Sequence, residues 1–346
     1  MRIVLNNIFL KFKKLIGLEI SLLADLAIGG SDNLSNRKLI DSEKYNLGTS
    51  EISFMYGGFD HHIKHSNFEY DQEKYQNILS LIHNYLDSTN LKILSEIELA
   101  MDKMRVITFY MELIEHFESH ESFDEIKREK ISVLARILME KGRDREVVKL
   151  GMVLGYLFGG NELVGKYVAM LGMHSEFTFY SIPYINRYYQ NWDELLYILI
   201  VDSSGWSKTF LLDRLTGFKK PEFLEWLING GYKNEGLTNA SAYALSLIFD
   251  FPKLLMKDSL TECEKDLILD SVIGLMEYPF SHNFGLMDNP EDILIPFVKN
   301  AERLSLNLDA RYSEALELLK QKLPLKNGVF STHSEEVRQA LTDLVE

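Results

Sequence analysis

The residues best suited to chemistry lie together at Asp60-His61-His62-Ile63-Lys64-His65, directly after Gly57-Gly58. Imidazole nitrogens and a carboxylate are the ligand types that hold zinc or a similar divalent ion. On a helix, His61 and His65 would face one side, four residues apart, as zinc-binding pairs do. Gly57-Gly58 could let the backbone fold around an ion. Against this, there is no His-Glu-x-x-His spacing and no cysteine ligand, and the segment lacks a strong helical pattern. A polar surface loop is the competing reading. A metal-dependent enzyme using Asp60, His61, His62 and His65 stands as one alternative, and no organic cofactor is expected.

Trp206, Lys208, Asp213 and Arg214 form a second group. Tryptophan and arginine are enriched among the hot spots of protein interfaces, so the group is a candidate for gripping a protein partner. Its plainer role is to plug the space between neighbouring helices. Tyr180, Tyr184 and Tyr188 recur at four-residue spacing, along one side of a helix that also contains Pro183. Tyrosine is enriched at interfaces and equally suits packing between helices. Glu112, Glu115 and Glu118 make an acidic stripe, either a solvated face or a docking surface for a basic partner. Cys263 is the sole cysteine and is expected to be a small side chain, buried or half-buried. No Gly-x-x-x-x-Gly-Lys-Ser/Thr loop and no Gly-x-Ser-x-Gly elbow is present.

These side chains must be positioned by helices. Residues 1–28 read as an amphipathic helix, with Leu5, Ile8, Phe9, Phe12, Leu15 and Ile16 on one face and Lys11, Lys13 and Lys14 beside it. Such a helix could cap the helical body or anchor the chain to a membrane surface. Residues 31–70 read as loops, with a short strand or turn at Ile52–Tyr56. From Asp71 the period is steadily helical. Tyr75, Ile78, Leu79, Ile82 and Leu86 share one face, Asn90–His120 reads as a long helix, and Phe123–Glu140 as another, carrying Ile126, Lys130, Val133, Ile137 and Glu140 around an apolar centre. Asp144 is placed to cap the next helix. Three helical hairpins follow, anchored at Leu163, Leu195 and Phe223, roughly 30 residues apart. Further helices are expected over Leu260–Met276, Glu291–Leu304, Tyr312–Lys322 and Ser334–Val345, with a loop at Glu277–Asn289.

The stretches Asp144–Leu150, Leu171–Tyr180, Gly205–Leu215 and Trp226–Gly231 resemble HEAT-like α-helical repeats, and a group of bacterial proteins built from them. The resemblance implies an all-α fold, an α-α superhelix (a HEAT-like solenoid) with a less regular N-terminal segment. It implies a protein-binding scaffold and no activity. The resemblance of Asp60-His61-His62 to the Asp-His-His phosphoesterases is three letters long, and the further Asp and His motifs of those α/β enzymes are absent.

The totals agree with a helical body. The chain has 346 residues, 46% of them hydrophobic and 25% charged, an ordinary folded composition. Its formal charge of −14 repels nucleic acid and anionic lipid and suits a basic protein partner. No apolar run is long enough to span a bilayer, and the N-terminal charge follows rather than precedes the apolar stretch, so a cytoplasmic protein is expected. The expected organisation is residues 1–70 packed on a repeat domain, 71–346. The expected function is non-catalytic binding of a protein partner, in a regulatory, adaptor or toxin-neutralising (immunity-type) role. A membrane-surface role and the metal enzyme are the alternatives.

Overall fold

The computed structural model describes Leu26, Lys38, Leu39, Asp41 and residues 56–63, 69–90, 92–119, 123–160, 162–234, 237–277, 291–322 and 342–343; for His61, His62, Ile63, Glu277, Glu291 and Lys322 it describes the backbone alone. The described residues form helices and turns, with no strand among them. No helix among them is long and apolar enough to cross a membrane. Contacts divide the chain into two compact units, Met1–Phe210 and Leu211–Glu346, rather than at the change of pattern near residue 70.

Unit one contains α1 (Gly58–Ile63), α2 (Gln72–Ser88), α3 (Ile93–Ala100), α4 (Tyr110–Ser119), α5 (Glu125–Lys141), α6 (Arg145–Phe158), α7 (Glu162–Gly172), α8 (Thr178–Tyr188) and α9 (Trp192–Val201). The helix starts are chemically marked. The carboxylates of Asp71, Asp124 and Asp144 accept from backbone N–H groups in the first turns of α2, α5 and α6. The face expected for α2 is buried as read. In α5 the buried stripe is Ile131, Leu134, Ala135 and Leu138, and Ile126 is exposed instead. Both i, i+3, i+4 stripes can be drawn through this sequence, and packing against α6 selects the second.

The core helix is α6. Val147, Val148, Leu150, Met152, Val153, Leu154 and Leu157 are all buried, which wraps apolar surface around most of its circumference. Gly151 lets it approach α5 closely: a Cβ there would lie 2.8 Å from Leu138 Cβ and 2.9 Å from Ala135 O. α5 packs on α6 and α7 on α8, while α6 also touches α8 and α5 touches α7.

Several expectations are corrected. Asn90–His120 is not one helix. Lys103 takes a left-handed φ of 62° and Arg105 is extended, so α3 ends, and the chain resumes through a 3-10 turn, Val106–Phe109, into α4. The break is stabilised from outside, because Val106 N–H donates to the Glu146 carboxylate. Gly58–Ile63 is helical rather than loop. Cys263 is exposed. The N-terminal helix lies outside the described residues apart from Leu26, which is helical. The strand or turn at Ile52–Tyr56 does too, apart from Tyr56, which is in a turn. So do the Glu277–Asn289 loop, apart from Glu277, and the Ser334–Val345 helix, apart from Thr342 and Asp343.

α10 (Trp206–Arg214) crosses the boundary between the units. Unit two continues with α11 (Pro221–Trp226), which unwinds through a wide turn at Leu227–Gly231 where Gly230 has φ +94°. It then holds α12 (Ala242–Ile248), α13 (Phe251–Leu255), α14 (Glu262–Glu277), α15 (Glu291–Lys299) and α16 (Ala310–Lys322). Phe251-Pro252 is the start of α13, capped by Asp250. Thr261 and Glu264 form a reciprocal capping box on α14: Glu264 N–H donates to Thr261 Oγ1, and Thr261 N–H to Glu264 Oε2. α14 packs against α12 and α16.

Candidate functional site

The densest chemistry in unit one is a buried ionic network centred on Lys149. α6 presents Arg145, Glu146 and Lys149 from its first turns. The turn before α8 supplies Glu176, the segment before the 3-10 turn supplies Arg105, and α1 supplies Asp60. Lys149 Nζ lies 2.8 Å from Asp60 Oδ2, 2.9 Å from Glu146 Oε1 and 2.7 Å from Glu176 Oε1, and its side chain is 0% exposed. Arg145 holds Asp41 through Nη2 at 2.8 Å, and its backbone N–H donates to Asp41 Oδ2 at 2.7 Å. Arg145 Nη1 lies 3.5 Å from Glu176 Oε2. Arg105 reaches Glu146 at 3.2 Å. Rings line the network: Tyr180 lies beneath Lys149, Tyr56 beneath Arg145 and Phe59 beneath Arg105.

The electrostatics differ between the two carboxylates that share Lys149 with Glu146. Burial pushes Asp60 up to about 6; Lys149 opposes this, and Glu146 and Glu176 add to it. Burial also penalises the Glu176 anion, but Lys149 and Arg145 prevail and hold it down at about 2. The asymmetry follows from the partners. Glu176 has two cations and accepts from Gly57 N–H at 3.1 Å, whereas Asp60 has one cation, Lys149. Lys149 is pulled above its ordinary range: its three carboxylates outweigh the desolvation that would lower it. The Tyr180 phenol is driven well up by burial and then by the field of Asp60, Glu146 and Glu176. At neutral pH the lysine is a cation with no lone pair to act as a nucleophile or base, and the arrangement is one for holding parts together.

The sequence-predicted residues are distributed as follows. Asp60 points at Lys149 and is spent on that ion pair. The backbones of His61 and His62 lie in α1, and His65 lies outside the described residues. Among the described residues no group of three or more His, Cys, Asp or Glu is placed to hold a metal ion. Trp206 is half-buried and covers the Gly57-Gly58 turn, where a Cβ on Gly58 would lie 2.6 Å from its Nε1. Lys208 is buried, with its pKa lowered by desolvation. Asp213 and Arg214 are exposed at the end of α10. Tyr180 and Tyr184 are buried, so in this fold they pack rather than meet a partner, while Tyr188 is half-buried and donates to Tyr156 O. Glu112, Glu115 and Glu118 are exposed on α4 beside Met111, which is 67% exposed.

Sequence reasoning missed Arg145, Glu146, Lys149 and Glu176. One signal was available: Lys149 interrupts the apolar run Val147-Val148-Lys149-Leu150-Gly151-Met152-Val153-Leu154, and a charge inside such a run must be buried with partners. Nothing local marks Asp41, whose partner is 104 residues away. Comparison with protein-family models, curated proteins and solved structures gave no significant match to this chain.

Proposed function

We propose that the chain is a non-catalytic helical-repeat scaffold, a HEAT-like solenoid that binds a basic protein partner. The packing of α5 on α6 and of α7 on α8, with α5 also touching α7 and α6 touching α8, supports stacked hairpins. The observation that carries the functional reading is where the charge lies. The concentrated acid–base groups of unit one are enclosed and neutralise one another, whereas the exposed chemistry on α4 is carboxylate beside an apolar side chain. Glu112, Glu115 and Met111 fit a partner that presents lysine or arginine around an apolar residue. A regulatory, adaptor or toxin-neutralising role would use the same surface, and the −14 charge would speed association with a basic partner.

The test is affinity capture from the native host, followed by titration of the purified partner against the wild type and a Glu112→Lys/Glu115→Lys variant. The expected result is a stoichiometric complex that weakens as salt rises and loses about tenfold or more in affinity in the variant, with an unchanged melting temperature. Binding that is indifferent to both salt and the charge reversal would move the site away from α4. Turnover of a substrate by the purified chain would remove the scaffold reading.

A further inference from the structure

The last turns of α4, α6 and α8 meet, and they hold a guanidinium between them. Arg187 Cζ lies 5.0 Å from the centre of the Tyr156 ring and 5.8 Å from that of Tyr188, and Arg187 Nη1 reaches Glu118 Oε1 at 3.4 Å. The two rings are tied together, because the Tyr188 phenol donates to Tyr156 O at 3.1 Å. Three features make this a place for a cation. Ring faces attract a guanidinium. Glu118 supplies an anion. Three helices also end here, and each brings the negative end of its dipole. Arg128 stands nearby: it acts on the Tyr188 phenol, lies 5.9 Å from the centre of the Phe158 ring, and donates from Nε to Phe123 O.

Arg187 is a loose occupant. Its side chain is 40% exposed and that of Glu118 is 49% exposed. A guanidinium–carboxylate hydrogen bond is ordinarily about 2.7–2.9 Å long and often doubled. This one is single, at 3.4 Å. An exposed pair of this kind adds little to stability, so Arg187 can swing into solvent at small cost to the fold. Glu118 also completes a row on α4 with Met111 and Glu115, at i, i+4 and i+7, so the cradle continues the acidic and apolar face of that helix.

We propose that the cradle of Glu118, Tyr156 and Tyr188 receives an arginine side chain from a protein partner, and that Arg187 holds the place until that arginine displaces it. The proposal rests on the reading of a basic partner and names the side chain that such a partner inserts. Lysine fits the cradle less well, because its ammonium has no plane to stack on the rings and no fork for the carboxylate.

The test titrates N-acetyl-tri-arginine amide into the full chain by calorimetry, with the tri-lysine counterpart alongside. The chains are the wild type, Arg187→Ala, Glu118→Gln/Arg187→Ala and Lys92→Ala; the last removes an exposed cation at the start of α3 and controls for overall charge. Tri-arginine is expected to bind Arg187→Ala about threefold or more tighter than wild type, and tri-lysine to bind Arg187→Ala about threefold or more weaker than tri-arginine does. The gain should be smaller in Lys92→Ala and should vanish when Glu118 is also changed. Equal or weaker binding by Arg187→Ala, an equal gain in Lys92→Ala, a gain that survives the loss of Glu118, or equal binding of tri-lysine would each overturn the proposal. So would the absence of tri-arginine binding to Arg187→Ala. If Arg187→Ala does not fold, Arg187→Gln repeats the titration under the same criteria. Failure here beside a partner complex that depends on Glu112 and Glu115 would remove the cradle and leave the scaffold reading. Tri-arginine bound as expected, with no partner captured, would remove the scaffold reading instead.

Discussion

Among the described residues each unit has a cation that meets three carboxylates, Lys149 in unit one and Arg311 in unit two, and the two differ mainly in burial. In unit one Lys149 is sealed among Asp60, Glu146 and Glu176. In unit two Arg311 meets Asp309 at 2.6 Å, Asp266 at 2.5 Å and Asp270 at 2.8 Å, yet its side chain is 30% exposed. Tyr232 also donates to Asp270, at 2.7 Å, and Lys233 reaches Asp266, at 3.0 Å. Geometry alone would rate Arg311 the stronger site, because a guanidinium fork offers fixed donors. The solvent reverses the ranking for what is lost on mutation. Water can replace a missing partner of Asp266 or Asp309, and it cannot reach Asp60 or Glu146. Close contact therefore says little about energetic weight until burial is known.

The largest expected effect follows from this. Lys149→Met removes the cation shared by three carboxylates, leaving Asp60 without one and Glu146 and Glu176 with one arginine each, and should cost about 3–5 kcal/mol, read as a lower denaturation midpoint in urea. A loss below about 1 kcal/mol would place water in the network. Packing shows a parallel contrast. Gly151→Ala pushes a methyl into the α5 backbone and Leu138, at a cost of about 1–3 kcal/mol, while Gly217→Ala in unit two, where a Cβ would meet nothing within 4 Å, should change stability by less than about 1 kcal/mol.

The third effect is smaller. Arg311→Met should cost about 1 kcal/mol or less, and that cost should shrink further in high salt, whereas the Lys149→Met cost should persist. Equal salt sensitivity of the two variants would erase the distinction between the networks.

The smallest effect is in pH. Asp60 is raised from an ordinary 3.8 to about 6, so the folded chain takes up this proton before the unfolded chain does. Its contribution therefore favours the fold increasingly as pH falls from about 7 toward about 4. Glu176, lowered from 4.5 to about 2, acts in the opposite sense: its stabilisation is complete above 4.5 and is lost as pH falls through about 2. Asp60→Asn should abolish proton uptake near pH 6, followed by infrared absorption of the protonated carboxyl, and leave the acid limb intact. An unchanged uptake would assign it to another group.

Much of the helical framework was legible, because capping aspartates and the 3.6-residue period are local signals. Asp144 precedes an apolar period and caps it as expected, and Asp124 caps α5 in the same way. The failures are tertiary. Nothing near Arg105 announces that α3 and α4 must part there; the acceptor that stabilises the break, Glu146, is 40 residues away. The α5 stripe differs from the expected one: the buried face is that of Ile131, Leu134, Ala135 and Leu138, and Gly151 of α6 approaches it at Ala135 and Leu138. Of the ionic network, Asp60 was singled out, as a candidate metal ligand. A carboxylate beside histidines suggests a metal, but its fate depends on Lys149, 89 residues further on.

The most direct measurement is reductive methylation of the native protein with residue-level mass spectrometry, comparing Lys149 with Lys233. Lys233 is 51% exposed despite its contact with Asp266. If the unit-one network is closed and holds the fold together, Lys149 remains unmodified while Lys233 reacts fully, and Lys149 reacts only after unfolding. Modification of Lys149 at a rate similar to that of Lys233 in the folded chain would show an open site, and would contradict the enclosed network on which the scaffold reading rests.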